Sequence, residues 1–203
     1  MPTTFHRLRR LFMLDLRVLD EVRLDPTATL SGVVVAIGSI AMLCLGGWLW
    51  WIASGLDDGR AVFLTSVVLG TGFATVGWIV WLIVAYAVLN RFRPTAIDVG
   101  ALLRTAGFAC TPLVLALLMA ARPIAFGIGL AAIAAWVAAT QMALQRASGR
   151  SASEALVANI AGFGVWAVVM SLLATGTNHT VPGPFLAEAI WEGVTGGKIA
   201  FLP

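Results

Sequence analysis

The side chains that carry acid–base, nucleophilic or metal chemistry are few in this sequence, and they do not cluster. The two histidines, His6 and His179, stand near opposite ends of the chain. Cys44 and Cys110 each lie inside an apolar run, where a free thiol acts as a small buried hydrophobe. Two isolated cysteines make neither a disulfide framework nor a metal site. The remaining group is a set of loop and tail residues, Asp57, Asp58, Glu188, Glu192 and His179, whose types suit general acid–base work or metal binding if they converge. Catalysis needs partners positioned within hydrogen-bond reach, and no paired set is legible in the spacing. With no histidine in the apolar runs, Ser–His proteolysis, His-ligated haem and metalloprotease chemistry within a membrane each lack a key group. Asn178-His179-Thr180 has the form of a glycosylation acceptor, read as incidental because the bias toward Arg, Ala and Gly is that expected of a GC-rich bacterial genome. The expectation is a protein that does no chemistry of its own: not an enzyme, with no catalytic residue, no metal and no cofactor.

What must position any such residue is a set of five apolar stretches. Of the 203 residues, 60% are hydrophobic and 11% charged, against about 25% charged in a soluble domain. A spanning helix needs about 20 apolar residues, and spans are placed at Leu30–Ser54, Ala61–Leu89, Ala101–Ala121, Pro123–Leu144 and Leu156–Ala174. In hydrocarbon every backbone polar group needs an internal partner, so each stretch is read as a helix. The fold class is all-α: an integral membrane protein, a five-helix transmembrane bundle with an N-terminal interfacial amphipathic helix. Residues 1–29 form a cytoplasmic amphipathic segment, 30–174 the transmembrane domain and 175–203 an external, periplasmic tail. The first apolar run is longer than a signal-peptide core and is read as an uncleaved span. The net charge of +3 comes from arginines scattered over short loops and does not point to nucleic acid.

Those arginines orient the chain. Ten of the thirteen basic residues, among them Arg7, Arg9, Arg10, Arg17, Arg23, Arg91, Arg93, Arg104, Arg146 and Arg150, fall on one side of the alternating spans. Arg60, Arg122 and Lys198 fall on the other. The positive-inside rule places the N-terminus in the cytoplasm and the C-terminus in the periplasm, in a bacterial inner membrane. Between Phe5 and Leu24, apolar residues recur at steps of three and four. This segment is read as one helix lying on the membrane surface, or docked on the bundle's own loops. Phe185–Val194 is read as a short interfacial helix bearing Trp191.

Charges buried in spans mark ion pathways, and the span interiors hold only neutral polar residues. Gln141 and Asn159, in consecutive spans, are placed to hydrogen-bond each other. The clearest pattern is in the fourth span, where Gly127, Ala131, Ala135, Ala139, Ala143 and Ala147 recur every fourth residue, echoed by Gly70 and Ala74 in the second and Ala158 and Gly162 in the fifth. Small residues at this spacing let helices approach closely, so the column is read as a helix-packing seam or a partner interface. Trp48, Trp50 and Trp51 suit an aromatic belt at one end of the first span. Trp78, Trp81, Trp136 and Trp166 sit deeper, either filling space between helices or lining a lipid or pigment site. Pro112 should kink the third span.

Asp25-Pro26 before the first span, Arg104-Thr105-Ala106-Gly107-Phe108-Ala109 leading to Pro112, and Trp136, Gln141 and Ser151 to Ala155 around the end of the fourth span together resemble the Yip family. Its eukaryotic members interact with Rab-type GTPases. The resemblance covers roughly residues 20 to 174. It implies a five-span fold and a scaffold or trafficking role, and assigns no catalytic residue. The functional expectation is a non-enzymatic membrane scaffold or accessory subunit of a larger bacterial inner-membrane complex, in contact with the lipid bilayer and with other membrane protein subunits. A permease or transporter component for a lipid or other uncharged small molecule is the alternative. The orientation is tested by fusion of a reporter active only in the cytoplasm. It is expected to work after Ala147 and fail after Lys198, and the reverse pattern would overturn the assignment.

Overall fold

A computed structural model describes residues 3–55, 59–92 and 97–174 of the chain. The interfacial helix expected at Phe185–Val194, the tail residues 175–203 and the loop acids Asp57 and Asp58 lie outside the described residues. The described residues form two short helices, α1 (Thr4–Phe12) and α2 (Arg17–Leu24), and five long apolar ones. These are α3 (Ala28–Ala53), α4 (Gly59–Phe92), α5 (Val99–Ala120), α6 (Arg122–Ser148) and α7 (Ala152–Ala174). All five are long and apolar enough to cross a membrane, and no strand occurs among the described residues. The chain is a multi-pass membrane protein with an all-α bundle fold. Each span matches the stretch read from the sequence to within a few residues at either end; α3 and α5 stop one residue short, at Ala53 and Ala120.

Three spans depart from regular α-helix: α6 opens with a 3₁₀ turn at Arg122–Ile124, and α5 and α4 each carry a longer irregular stretch. In α5 the geometry tightens to 3₁₀ from Thr111 to Ala120. Pro112 has no N–H and its ring clashes with the carbonyl four residues back, which belongs to Phe108. That carbonyl instead accepts the Thr111 hydroxyl at 2.6 Å, so the acceptor that Pro112 vacates keeps a partner. In α4 a π-helical stretch covers Phe63–Leu69. Gly149 closes α6 in a left-handed conformation, φ 64°, the usual helix stop. Ser151 and Glu154 then open α7 as a capping box: the Ser151 N–H donates to Glu154 at 3.0 Å and the Glu154 N–H to the Ser151 hydroxyl at 3.3 Å.

The spans form a ring in which α3 packs on α5, α5 on α6, α6 on α7, α7 on α4 and α4 back on α3. The closest approach is between α3 and α5, where backbones nearly touch. A methyl group added to Gly107 would come within 2.3 Å of the Gly32 carbonyl oxygen, and one on Gly46 within 2.0 Å of the Ala116 carbonyl oxygen. Between α4 and α7, Gly77 accommodates the Trp166 indole and Gly162 the Trp81 indole and carbonyl. Trp81, Trp136 and Trp166 are fully buried and pack edge-to-face or tilted, with ring centroids 4.9 Å apart for Trp81–Trp136 and 5.1 Å for Trp136–Trp166. Trp50 and Trp51 are also buried, and Trp48 donates its indole N–H to the Gly59 carbonyl at 2.7 Å. Trp48 therefore joins α3 to the start of α4, and the buried Trp50 and Trp51 face the bundle and not the lipid.

The tightness at Gly107 has a measurable consequence. Gly107→Ala is expected to lower thermal stability in mild detergent by about 1–3 kcal/mol, the usual scale for overpacking, because the obstacle is backbone and cannot rotate away. Gly38→Ala on the exposed side of α3, where an added methyl meets nothing, is expected to be neutral or slightly stabilising. Equal effects at the two sites would mean that α3 and α5 are not in backbone contact.

Candidate functional site

The densest polar structure lies where the N-terminal segment meets the ends of α5 and α6. The sequence suggests one helix from Phe5 to Leu24; the structure has two, joined by a turn at Met13–Leu16. Leu14 adopts a left-handed conformation, φ 60°. Around it the Leu14 N–H bonds the Leu11 carbonyl and the Asp15 N–H the Arg10 carbonyl, which is the Schellman pattern that ends a helix. Asp15 then fixes the turn from both sides. Its carboxylate accepts the Arg10 guanidinium at 2.7 Å and the Arg17 backbone N–H at 3.1 Å. Arg10 also reaches Glu21 at 2.6 Å, so α1 and α2 fold against each other.

This hairpin is docked on the bundle. Val18, Leu19 and Val22 are fully buried, in one cluster with Ala28, Phe108, Ala109 and Ala143. Arginines from two spans hold it. Arg104, inside α5 and only 6% exposed, donates through Nε to the carbonyls of Val22 and Arg23, both at 3.0 Å, and through Nη2 to Arg23 again and to Asp98 at 3.1 Å. The last carbonyls of a helix have no partner within it and carry its negative end. Arg104 therefore caps α2 from another helix. Arg146 of α6 donates to the Leu16 carbonyl and, at 2.6 Å, to Asp20, while Arg23 returns a bond at 3.0 Å to the Arg146 carbonyl. Arg7 of α1 pairs with Asp25 at 2.6 Å.

Several carboxyls here are held below the usual carboxylate range. For Asp25 the main cause is the Thr27 hydroxyl, then Arg7. For Asp98 it is the Ala101 backbone N–H, with Arg104 contributing. For Asp15 it is Arg10. A carboxyl whose pKa is depressed on folding stabilises the fold above its unfolded value, near pH 4, and loses that contribution as pH falls through the folded value.

The small-residue column is dispersed by helix geometry. Four residues advance 400° around an α-helix, so a strict fourfold spacing drifts about 40° per step. Gly127 and Ala131 are exposed, Ala135 and Ala139 half-buried, and Ala143 buried. The packed face of α6 follows Ala125, Gly129, Ala132, Trp136, Thr140 and Ala143. Gly70 and Ala74 of α4 are both buried. Gln141 and Asn159 do not bond each other. Gln141 donates to the Ala152 carbonyl and Asn159 to the Val137 carbonyl, each at 3.0 Å, so both still link α6 to α7. Cys44 and Cys110 are buried and apart in the core, and no group of three or more potential metal ligands occurs among the described residues.

An apolar groove of about 370 Å³ lies beside the docked hairpin. Leu11, Phe12, Leu14 and Leu16 form one wall, Thr111, Pro112 and Leu115 of α5 another, and Ala135, Ala138 and Ala139 of α6 the third. None of the deep tryptophans lines it. Sequence reasoning missed both the groove and the arginine clamp. A lone arginine in the third apolar run was the available signal, because a charge there requires a partner.

No protein-family model matches the chain, and no curated protein or solved structure is significantly similar to it.

Two outcomes test the clamp. Arg104→Leu takes the guanidinium from the Arg23 carbonyl, at about 1–3 kcal/mol for a buried group left unpaired, while the Val22 carbonyl keeps the Asp25 N–H. Amide exchange over residues 18–24 is expected to accelerate while exchange in α3 and α7 stays slow. Acidification from pH 7 to pH 3 slows intrinsic amide exchange everywhere, so the readout is the protection factor, which is expected to fall in α1 and α2 selectively. An unchanged hairpin in both experiments would show that these ion pairs do not hold it.

Proposed function

We propose that this protein is a non-enzymatic scaffold or accessory subunit of a larger bacterial inner-membrane complex, with its N-terminus cytoplasmic and its C-terminus periplasmic. The observation that carries the reading is the outer face of α6. Gly127, Ala131, Ala134 and Ala138 are exposed along it, so a neighbouring helix can approach α6 as closely as α3 approaches α5. In lipid, helices associate through such close backbone packing, since the hydrocarbon gives them no hydrophobic drive. The interior supports the same reading. The indoles of Trp81, Trp136 and Trp166 fill the space between α4, α6 and α7, and the polar side chains of Thr105, Gln141 and Asn159 are engaged with helix carbonyls. The resemblance of residues 20 to 174 to the Yip family supports a scaffold or trafficking role. The ten-to-three distribution of basic residues supports the orientation. The alternative, a permease component for a lipid or other uncharged small molecule, draws on the apolar groove beside the hairpin.

The test is purification of the intact protein from its native membrane in mild detergent, with mass spectrometry of the co-purifying chains. Ala131→Leu is expected to remove a partner subunit while leaving the thermal stability of the chain itself unchanged, because Ala131 packs against nothing within it. Retention of all partners by this variant would overturn the assignment of the α6 face.

A further inference from the structure

We infer that the groove between the hairpin turn, α5 and α6 is a binding site for one acyl chain of a membrane lipid. The inference rests on the groove's depth and its lining; Ala138 is shared with the α6 face assigned above, so the test separates a lipid chain from a partner helix at this place.

Depth comes first. Arg104 and its carbonyl partners mark a polar layer at one end of the bundle. Thr111 lies seven residues further along α5, about 10 Å deeper at the rise of an α-helix. The groove floor at Thr111, Pro112 and Leu115 therefore sits among acyl chains. Its rim is open there, since Phe12, Leu14 and Leu115 are 52%, 83% and 42% exposed.

The lining excludes water and an extended peptide. A bound water needs two to four polar partners. The one polar side chain in the wall is Thr111, whose hydroxyl already donates to the Phe108 carbonyl. An extended peptide would bring backbone N–H and C=O groups into hydrocarbon with nothing to bond. A helix satisfies its own backbone, and a helix seated on the groove is the competing outcome of the test below. A single hydrocarbon chain has neither problem.

The groove also exists for a reason that suits such a chain. Ala135, Ala138 and Ala139 present methyl groups where larger residues would close the gap, and Pro112 removes helix continuity opposite them. The turn around Leu14 forms the third wall, held by Asp15 and Arg10. Transfer from bulk lipid supplies no hydrophobic gain, so selectivity comes from van der Waals contact on three sides in place of a void.

The test uses the full-length protein in phosphatidylcholine bilayers containing a trace of phospholipid with a photoactivatable diazirine on one acyl chain. After irradiation, labelled peptides are quantified by mass spectrometry. Labelling at Leu115 and Met142 is expected to exceed, severalfold, labelling at Ile79 and Ile83, which are exposed on α4. Ala139→Leu is expected to abolish that excess without changing labelling of α4. Ala138→Leu, at an exposed position in the same wall, is the second variant should the first reduce yield. Equal labelling of groove and α4 would overturn the proposal, as would an excess that survives whichever filled variant is recovered. Protection of the groove by a co-purifying polypeptide in native membranes would also overturn it.

Discussion

Hydrocarbon offers no hydrogen-bond partner, and the chain's irregularities are answers to that constraint. Within a helix the backbone satisfies itself, so the difficulties arise where a helix stops or is broken. Pro112 breaks the ladder in α5, and the Thr111 hydroxyl takes the vacated carbonyl of Phe108. The carbonyls ending α2 have no intrahelical donor, and Arg104 supplies one from another span. Gln141 and Asn159 each find a carbonyl across the α6–α7 contact. Polar side chains in this protein repair backbone ends and join helices.

Close packing and polar repair meet at one place. Gly32 of α3 lies against the backbone of Arg104, and Gly107, one turn further along α5, lies against the carbonyl of Gly32. The absence of side chains at both glycines lets α5 seat deeply on α3. That seating fixes the backbone from which the Arg104 guanidinium reaches α2. A shift of α5 outward by the width of a methyl group would carry the guanidinium away from carbonyls it now meets at about 3 Å. The packing of two spans thus determines the position of a helix that crosses nothing.

The spans were legible in the sequence because a long apolar run has one physical outcome in a bilayer. The hairpin was half legible. The three-and-four periodicity from Phe5 to Val22 gave helix and an apolar face, but both a continuous helix and a broken one satisfy it. The break depends on Asp15 bonding Arg10 and the Arg17 N–H, and on Leu14 taking a conformation usually left to glycine. The fourfold column in α6 drifts around the helix, so Ala143 joins Gly129, Ala132 and Trp136 in the packed face while Gly127 and Ala131 turn outward. Of the tightest contacts, Gly32 with Gly107 has a signature on one helix only, the buried series Ala28, Gly32 and Ala36 of α3, and its partner on α5 has none. Pairing between distant segments is a property of the assembled bundle.

The clamp on α2 also sets an order of events during synthesis. The hairpin emerges from the ribosome first, yet its cap at Arg104 lies 81 residues beyond Arg23, and Arg146 lies 130 residues beyond Leu16. At about 5–20 residues per second, the N-terminal helices wait on the order of 10 s for the side chains that receive them. During that interval Val18, Leu19 and Val22 have no protein to cover them. The membrane surface is an apolar phase within reach, so the two places that suit this amphipathic face, the bilayer surface and the bundle, fit successive stages of synthesis.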